Sequence, residues 1–354
     1  MPTLSPPLFP RDVRVGLRAL LSRHARSGVF VLVDEHTECH CLPLVRTAFD
    51  RVGAKVLRVA AGDEHKTIDT AIALWHQLVR EGATRHSLLV NLGGGMVCDL
   101  GAFVAATFKR GMTAVNIPTT LLAMVDAAWG GKNGVNFEGL KNEIGTFVAP
   151  VSTLVHPQWL ATLPAGELLS GYGEMLKHGL LADVHHWADV LKLDPLTLAV
   201  HPRAGEVLAR SLQVKTDIVL SDPLEHDRRQ VLNLGHTIGH ALEALLQQRG
   251  TPMVMPHGNA VAHGLVAALY LSSALRGFPT DKMRQTVAHI RILYGRPPIS
   301  CDDYAALYAL AQHDKKNTDG IPAFVLLDDI GQPQTGIPID RRHFDETLDF
   351  LREG

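Results

Sequence analysis

Cysteine is scarce in this chain. Four thiols in 354 residues (Cys39, Cys41, Cys98 and Cys301) are too few for a disulfide framework, which points to a reducing compartment, the cytoplasm. An excess of one charge is also missing. Lys and Arg number 34 against 36 Asp and Glu, a formal charge of −2, so nothing electrostatic calls for nucleic acid or an acidic membrane surface. The start, Met1 to Pro10, holds four prolines. Arg11, Arg14 and Arg18 follow with no apolar h-region behind them, so no signal peptide is expected. The longest weakly charged stretch, 258–275, contains Asn259 and His263 and reads as a buried helix, not a membrane span. Internal repeats and low-complexity segments are absent from the sequence.

What is present describes an ordinary globular protein, 46% apolar and 20% charged, long enough for two domains. Nineteen histidines are the unusual count, and they favour metal or proton chemistry without locating it. Over 1–155, short β-branched runs at 29–33, 55–59, 87–91, 114–117 and 151–155 alternate with helical patterns at 42–52, 67–81 and 99–108. That alternation predicts parallel strands joined by helices, a Rossmann-like α/β domain. Over 156–354 helical periodicity dominates, at 166–182, 203–220, 231–248, 258–276 and 280–293, with a late strand pair around 323–327 turning at Gly331-Gln332-Pro333. The expected fold is therefore an α/β domain followed by an α-helical domain, with the active site in the cleft between them.

Two histidine-rich stretches carry the strongest chemistry. His236 and His240 stand four apart in Gly235-His236-Thr237-Ile238-Gly239-His240, so a helix stacks them on one side, and His257-Gly258 follows. Glu174, Lys177 and His178 share one helix face upstream. Two imidazoles and one carboxylate would leave a metal coordination position open, as a catalytic zinc site requires. Spacing alone makes His240 a candidate ligand. Gly93-Gly94-Gly95 and Asp99 follow a strand and open a helix, where bare backbone amides can receive a pyrophosphate. This is not the G-x-G-x-x-G fingerprint, and a tight strand-to-helix turn accounts for it equally well. Thr119-Thr120 ends a strand; Asp126, Gly130-Gly131-Lys132 and Lys141-Asn142 then resemble a nest for a phosphorylated substrate. Asp63 and Lys66 sit after the second strand. Lys215, Arg229 and Asn233 lead into His236. Arg110 and the run His313 to Lys316 read, taken alone, as solvated surface. His36 to Cys41 looks like a metal cluster by composition, but its C-x-C spacing is not that of a zinc knuckle, and it reads as structural.

Taken in order, these motifs resemble the 3-dehydroquinate synthases, of the sugar phosphate cyclase superfamily, over nearly the whole chain. The likeness rests on Gly93 to Asp99, Arg110-Gly111, Ile117 to Leu122, Val125 to Asn136 and Lys141-Asn142. It continues through Gly173 to Gly179, Arg229 to His240, His257-Gly258 and Asp314-Lys315-Lys316. The resemblance implies an NAD-binding first domain, a second domain that binds Zn2+ or Co2+, and a homodimer. It implies Glu174, His236 and His257 as metal ligands, turns His240 to the substrate, and makes Glu225 the proton acceptor. Catalytic roles also fall to Lys132, Lys177 and Arg229. Arg110, Asp126, Lys132, Asn142, Lys177, Lys215, Arg229, Asn233, His240 and Lys315 match substrate-binding positions, Arg110 reaching the neighbouring subunit's phosphate. Asp63, Lys66, Gly94, Gly95, Asp99, Thr119, Thr120, Lys141 and Thr162 match NAD-binding positions, with either Asp34 or Glu35 the acidic residue after the first strand. Three positions depart from the family's usual pattern: Cys98, Asn133 and Asn259.

The activity so implied converts 3-deoxy-D-arabino-heptulosonate 7-phosphate to 3-dehydroquinate and phosphate, a step of the shikimate pathway to aromatic amino acids. Three other readings compete. A cyclase of secondary metabolism would use a sugar phosphate without a carboxylate, for which Arg229 and Lys215 have no purpose. A metal-dependent polyol dehydrogenase would give net NADH. A non-catalytic homologue is supported only by Asn133 and Asn259.

Overall fold

The computed structural model describes residues 5–138, 140–222, 227–250, 255–312 and 320–354. Two compact units divide the chain: Met1–Pro164 with Thr197–Leu212, and Ala165–Leu196 with Gln213–Gly354.

In the first unit, α1 (Val13–His24) is N-capped by Asp12, whose carboxylate accepts the Arg14 and Val15 N–H groups. Then come β1 (Val29–Asp34), α2 (Glu35–His40), α3 (Leu42–Asp50), β2 (Lys55–Val59), α4 (Ile68–Arg80), β3 (Leu88–Gly93), α5 (Gly95–Thr107) and β4 (Thr113–Pro118). A hairpin of β5 (Lys132–Phe137) and β6 (Leu140–Phe147) precedes the short β7 (Ser152–Thr153). The main sheet runs β2-β1-β3-β4-β7, and every pairing in it is parallel. Every residue of β1 and β3 is buried, as the continuous apolar runs require of strands covered on both faces. Leu74 and Leu78 of α4 and Leu100, Phe103 and Val104 of α5 join Leu32, Leu57 and Leu89 in one apolar cluster.

The strand order reverses between β1 and β3, since β1 leads outward to β2 while β3 leads the other way to β4 and β7. In such sheets the carboxyl ends at the reversal open a crevice for ligands. The ends here are Asp34 and Gly93.

The second unit contains α6 (Ala165–Ala182), α7 (Val184–Leu191), the end of α8 (Ala204–Ser221), α9 (His236–Gln248), α10 (His257–Arg276), α11 (Thr280–Tyr294) and α12 (Tyr304–Gln312). An antiparallel pair, β8 (Ala323–Leu327) and β9 (Pro333–Pro338), comes before α13 (Arg341–Glu353). Helix α10 packs against α6, α9, α11, α13 and β8. It is long and apolar enough to cross a bilayer, but 72% of that stretch is buried. A helix surrounded on all sides needs no polar face, which is why its sequence carries so little charge.

The α/β and helical halves expected from the sequence are both found. Several boundaries differ. Helix α5 starts at Gly95 rather than 99, because Gly94 adopts extended backbone and serves as N-cap. The helix expected from 231 starts at His236; Arg228–Asn233 is a 3₁₀ segment, ended by Gly235 in left-handed backbone (φ 80°). The β5–β6 hairpin was not foreseen, and α7, α12 and α13 were not read from the sequence.

Candidate active site

Three helices build a polar cluster in the second unit, and glycines let them approach. A Cβ on Gly173 of α6 would fall 2.1 Å from the Gly258 carbonyl oxygen, and one on Gly264 of α10 would fall 1.8 Å from that of Gly235. Only residues without side chains permit backbones this close. The crossing sets Glu174 of α6 against His236 of α9 and His257 of α10.

Glu174 is completely buried. Its Oε1 lies 3.6 Å from both His236 Nε2 and His257 Nε2, too far for a hydrogen bond to either, while Lys177 Nζ stands against Oε2. The other ring nitrogens are engaged: His236 Nδ1 with the Leu234 carbonyl at 3.1 Å, and His257 Nδ1 with Glu243 Oε2 at 2.9 Å. Each ring thus donates from Nδ1, which turns both Nε2 atoms toward one carboxylate oxygen. One ligand atom from each of Glu174, His236 and His257 lies within 4.8 Å of the others. That set fits a zinc-like cation, with two imidazoles, one carboxylate and room for a further ligand.

Electrostatics agree. Burial alone would raise the Glu174 carboxyl, but Lys177, His257 and His236 together hold it well below its ordinary range. Burial, then Lys177, push His236 well below the ordinary imidazole value. Burial also opposes charge on His257, yet the Glu174 and Glu243 carboxylates outweigh it and raise the ring to about 10.

His240 is exposed, with its ring stacked 5.9 Å from His257 and 5.2 Å edge-on from His236. It joins Glu243 and His257 in a second group whose ligand atoms lie within 4.8 Å. Lys177, Lys215 and Arg229 are all buried cations of this unit, and Asn233 is half-buried. Asp222 Oδ2 accepts the Arg229 N–H at 3.0 Å and fixes the backbone there. Glu225 and Lys315 lie outside the described residues. Glu243 was missed by sequence reading, although His240 and Glu243 share a helix face at the i,i+3 spacing.

In the first unit the glycine turn and Thr119-Thr120 meet. Thr119 N–H donates to the Gly93 carbonyl at 2.9 Å, and a Cβ on Gly94 would come 2.9 Å from Thr120 Cγ2. Among the described residues no side chain caps α5, so its first amides can receive an anion, as a dinucleotide pyrophosphate needs. Nearby, buried Lys66 gathers a network. Its Nζ donates to Asp99 Oδ2 at 3.0 Å and to Asn142 Oδ1, with Asp63 Oδ1 at 3.8 Å. Asn136 locks the hairpin to this segment through the Lys66 carbonyl (2.7 Å) and Asp63 Oδ2 (3.2 Å). Asn142, in left-handed backbone, gives its N–H to Asn136 Oδ1. Asp63 and Lys66, Asp99 and Asn142, from three separate stretches of sequence, are therefore one cluster. Buried Asn91 and Asn116 bond each other at 2.8 Å, and Asn116 holds the Ala128 carbonyl, anchoring the π-helical turn that carries Asp126.

The remaining expected residues are more open. Lys132, Lys141 and Thr162 are exposed, as is Arg110, whose φ is 65°. Asp34 accepts from Thr37 at 2.7 Å, and the exposed Glu35 accepts the Ala61 N–H at 2.7 Å. Of the three departures, Asn133 is absorbed into the hairpin, donating to the Val148 carbonyl and accepting from Thr146. Cys98 is buried against the Gly93 carbonyl, and Asn259 Oδ1 is buried with no hydrogen-bond partner among the described residues. His36 to Cys41 lies on α2, whose N-terminus is closed by an Asp34–Thr37 capping box.

Family descriptions for the N-terminal and C-terminal parts of 3-dehydroquinate synthase match residues 56–170 and 171–317. The chain is 44% identical over 345 residues to a 3-dehydroquinate synthase of Parabacteroides distasonis, covering 97% of this chain and 96% of that one. Among solved structures, it resembles a 2-epi-5-epi-valiolone synthase from Streptomyces hygroscopicus subsp. jinggangensis 5008 with NAD+ and Zn2+ bound (TM-score 0.83, 23% identity, 97% and 95% coverage). It also resembles 2-deoxy-scyllo-inosose synthase complexed with carbaglucose-6-phosphate, NAD+ and Co2+ (TM-score 0.81, 23% identity, 98% and 96% coverage). At that identity the two structures speak for the fold.

Proposed function

The chain belongs to the 3-dehydroquinate synthase family, and from that premise we propose how its residues carry out a phosphate-eliminating cyclisation. It is a carbon–oxygen lyase that converts 3-deoxy-D-arabino-heptulosonate 7-phosphate to 3-dehydroquinate and phosphate, in the shikimate pathway to aromatic amino acids. The observation that carries the site assignment is Glu174 Oε1 facing two imidazole Nε2 atoms at 3.6 Å.

Glu174, His236 and His257 would hold Zn2+, or Co2+, and the open α5 N-terminus with Gly94, Gly95, Thr119 and Thr120 would hold NAD. When bound, NAD supplies reversible oxidation of a carbinol and the metal supplies Lewis-acid polarisation of its oxygens. The chain's own residues do the rest. Asp63, Lys66 and Asp99 form a preorganised edge for the cofactor, and we assign Lys141 and Thr162 to it as well. Arg229 takes the substrate carboxylate bidentately, with Lys215 as a second cation beside it. Lys177, buried and ion-paired with Glu174, holds a positive charge where oxyanion character develops. His240, on the exposed side of the ligand pair, is placed to exchange a proton with substrate or solvent. Glu225 acts as proton acceptor, and Lys132, Asp126, Asn142, Asn233 and Lys315 bind substrate hydroxyls and phosphate.

In this reading residues 1–155 form the NAD-binding domain and 156–354 the metal- and substrate-binding domain. We further propose a homodimer in the cytoplasm, in which exposed Arg110 reaches the phosphate bound by the neighbouring subunit.

One assay tests the activity: phosphate release from the heptulosonate phosphate with catalytic NAD. Turnover without net NADH is the expected result, because the hydride returns within each cycle. Stoichiometric NADH per phosphate would overturn it in favour of a dehydrogenase.

A further inference from the structure

The two imidazoles facing Glu174 are held differently. His236 leans on a backbone carbonyl two residues away, whereas His257 leans on another side chain, Glu243. The carboxylate reaches His257 from α9, and His257 opens α10, so the bond crosses between helices. Glu243 is largely buried, its side chain 15% exposed, and a carboxylate is costly to withdraw from water unless a charged or donating partner repays it.

An imidazole whose Nδ1 meets a carboxylate carries its hydrogen there and offers Nε2 outward with raised basicity. We infer that Glu243 is a positioning residue of the metal centre: through His257 Nδ1 it fixes the tautomer and rotation that aim Nε2 at Glu174. This rests on the metal-site reading above. A direct-ligand role with His240 and His257 is the rival arrangement, since those three also cluster. The geometry favours positioning. Oε2 of Glu243 already occupies His257 Nδ1, His240 is the exposed member of the three, and among the described residues Glu174 Oε1 is an acceptor left between two imidazoles without a hydrogen bond.

The test is zinc affinity of the purified full chain, read by competition with a chromogenic chelator. Glu243→Ala should weaken zinc binding by about 10–100-fold. Glu243→Gln, whose amide oxygen still accepts from Nδ1–H, should recover most of that loss. With Co2+ loaded, the visible ligand-field spectrum should keep its parental shape in Glu243→Gln and shift in Glu243→Ala. Zinc affinity unchanged in Glu243→Ala would overturn the inference. So would a loss as complete as that of His257→Ala with no rescue by Gln, which would make Glu243 a ligand. Should Glu243→Ala fail to fold by circular dichroism, the isosteric Gln variant decides: parental spectrum and near-parental affinity support positioning, and lost metal refutes it. Failure of the underlying metal reading gives a separate result, parental zinc affinity in Glu174→Ala, His236→Ala and His257→Ala.

Discussion

Gly258 rests on Ser170: a Cβ on the glycine would fall 1.6 Å from the Ser170 carbonyl oxygen, while the Ser170 hydroxyl accepts the Gly258 N–H at 3.2 Å. The contact lies one residue from His257 and one helical turn before Glu174, so the spacing of α6 and α10 sets the spacing of the proposed ligands. Gly258→Ala must force the helices apart. It should destabilise the protein by about 1–3 kcal/mol, as overpacking does, and lower bound zinc. Gly166→Ala on α6, where a Cβ meets nothing within 4 Å, is the control and should keep the zinc and lose no stability. Thermal unfolding and metal analysis of the two variants measure the difference.

Metal content separates ligands from neighbours. Glu174→Ala, His236→Ala and His257→Ala should each lose zinc after dialysis against a weak chelator, because each supplies one atom of the cluster. His240→Ala should keep zinc and lose turnover. Zinc lost from His240→Ala but retained by His257→Ala would reverse the assignment.

His263 makes stability depend on pH. It is 3% exposed on α10, and burial lowers its pKa from 6.5 to about 4. Between those values the unfolded chain binds a proton that the folded chain does not, so stability falls as pH drops from 6.5 towards 4. The full effect is about 3 kcal/mol. Urea unfolding at pH 7, 6 and 5 should show a shallower acid loss in His263→Leu than in the parent. Equal slopes would show that this ring is not the group responsible.

Lys66→Ala should weaken NAD binding and stability together. It strips Asp99 Oδ2 and Asn142 Oδ1 of their shared donor. About 2 kcal/mol is expected, at the low end for a broken ion pair because the Asp99 side chain remains 19% exposed. Fluorescence titration with NAD reads the first effect. Parental NAD affinity would remove Lys66 from the cofactor edge.

Arg229 is buried, which suits a cation that meets a substrate carboxylate away from water. Arg229→Ala should cost about 2–5 kcal/mol in kcat/KM. An unaffected kcat/KM, or equal turnover of a substrate without the carboxylate, would favour the secondary-metabolism cyclases.

Much of the architecture was legible because it is written in local pattern. The buried runs of β1 and β3 announce a parallel sheet, since strands covered on both faces cannot alternate. The weakly charged 258–275 stretch announces a core helix for the same reason. Harder to read were elements whose stability comes from partners. The β5–β6 hairpin is rich in Gly, Asn and Lys, which suggested a ligand nest. It stands as a hairpin because Asn136 bonds the 63–66 segment and Asn133 bridges Val148 and Thr146.

By itself the sequence determined which chemical groups exist and how they recur: the i,i+4 pair His236 and His240, the carboxylate at Glu174, the glycine turn before α5. Helical spacing made His236 and His240 partners, since both project from one side of α9. Tertiary structure decided otherwise about which nitrogens face the carboxylate. Gly173 and Gly258 bring α6 onto α10, so the imidazole opposite His236 across Glu174 belongs to His257, and His240 is left at the exposed edge. Local periodicity ranks neighbours along one helix. Only the closeness of two backbones, permitted where no Cβ intervenes, selects neighbours between helices.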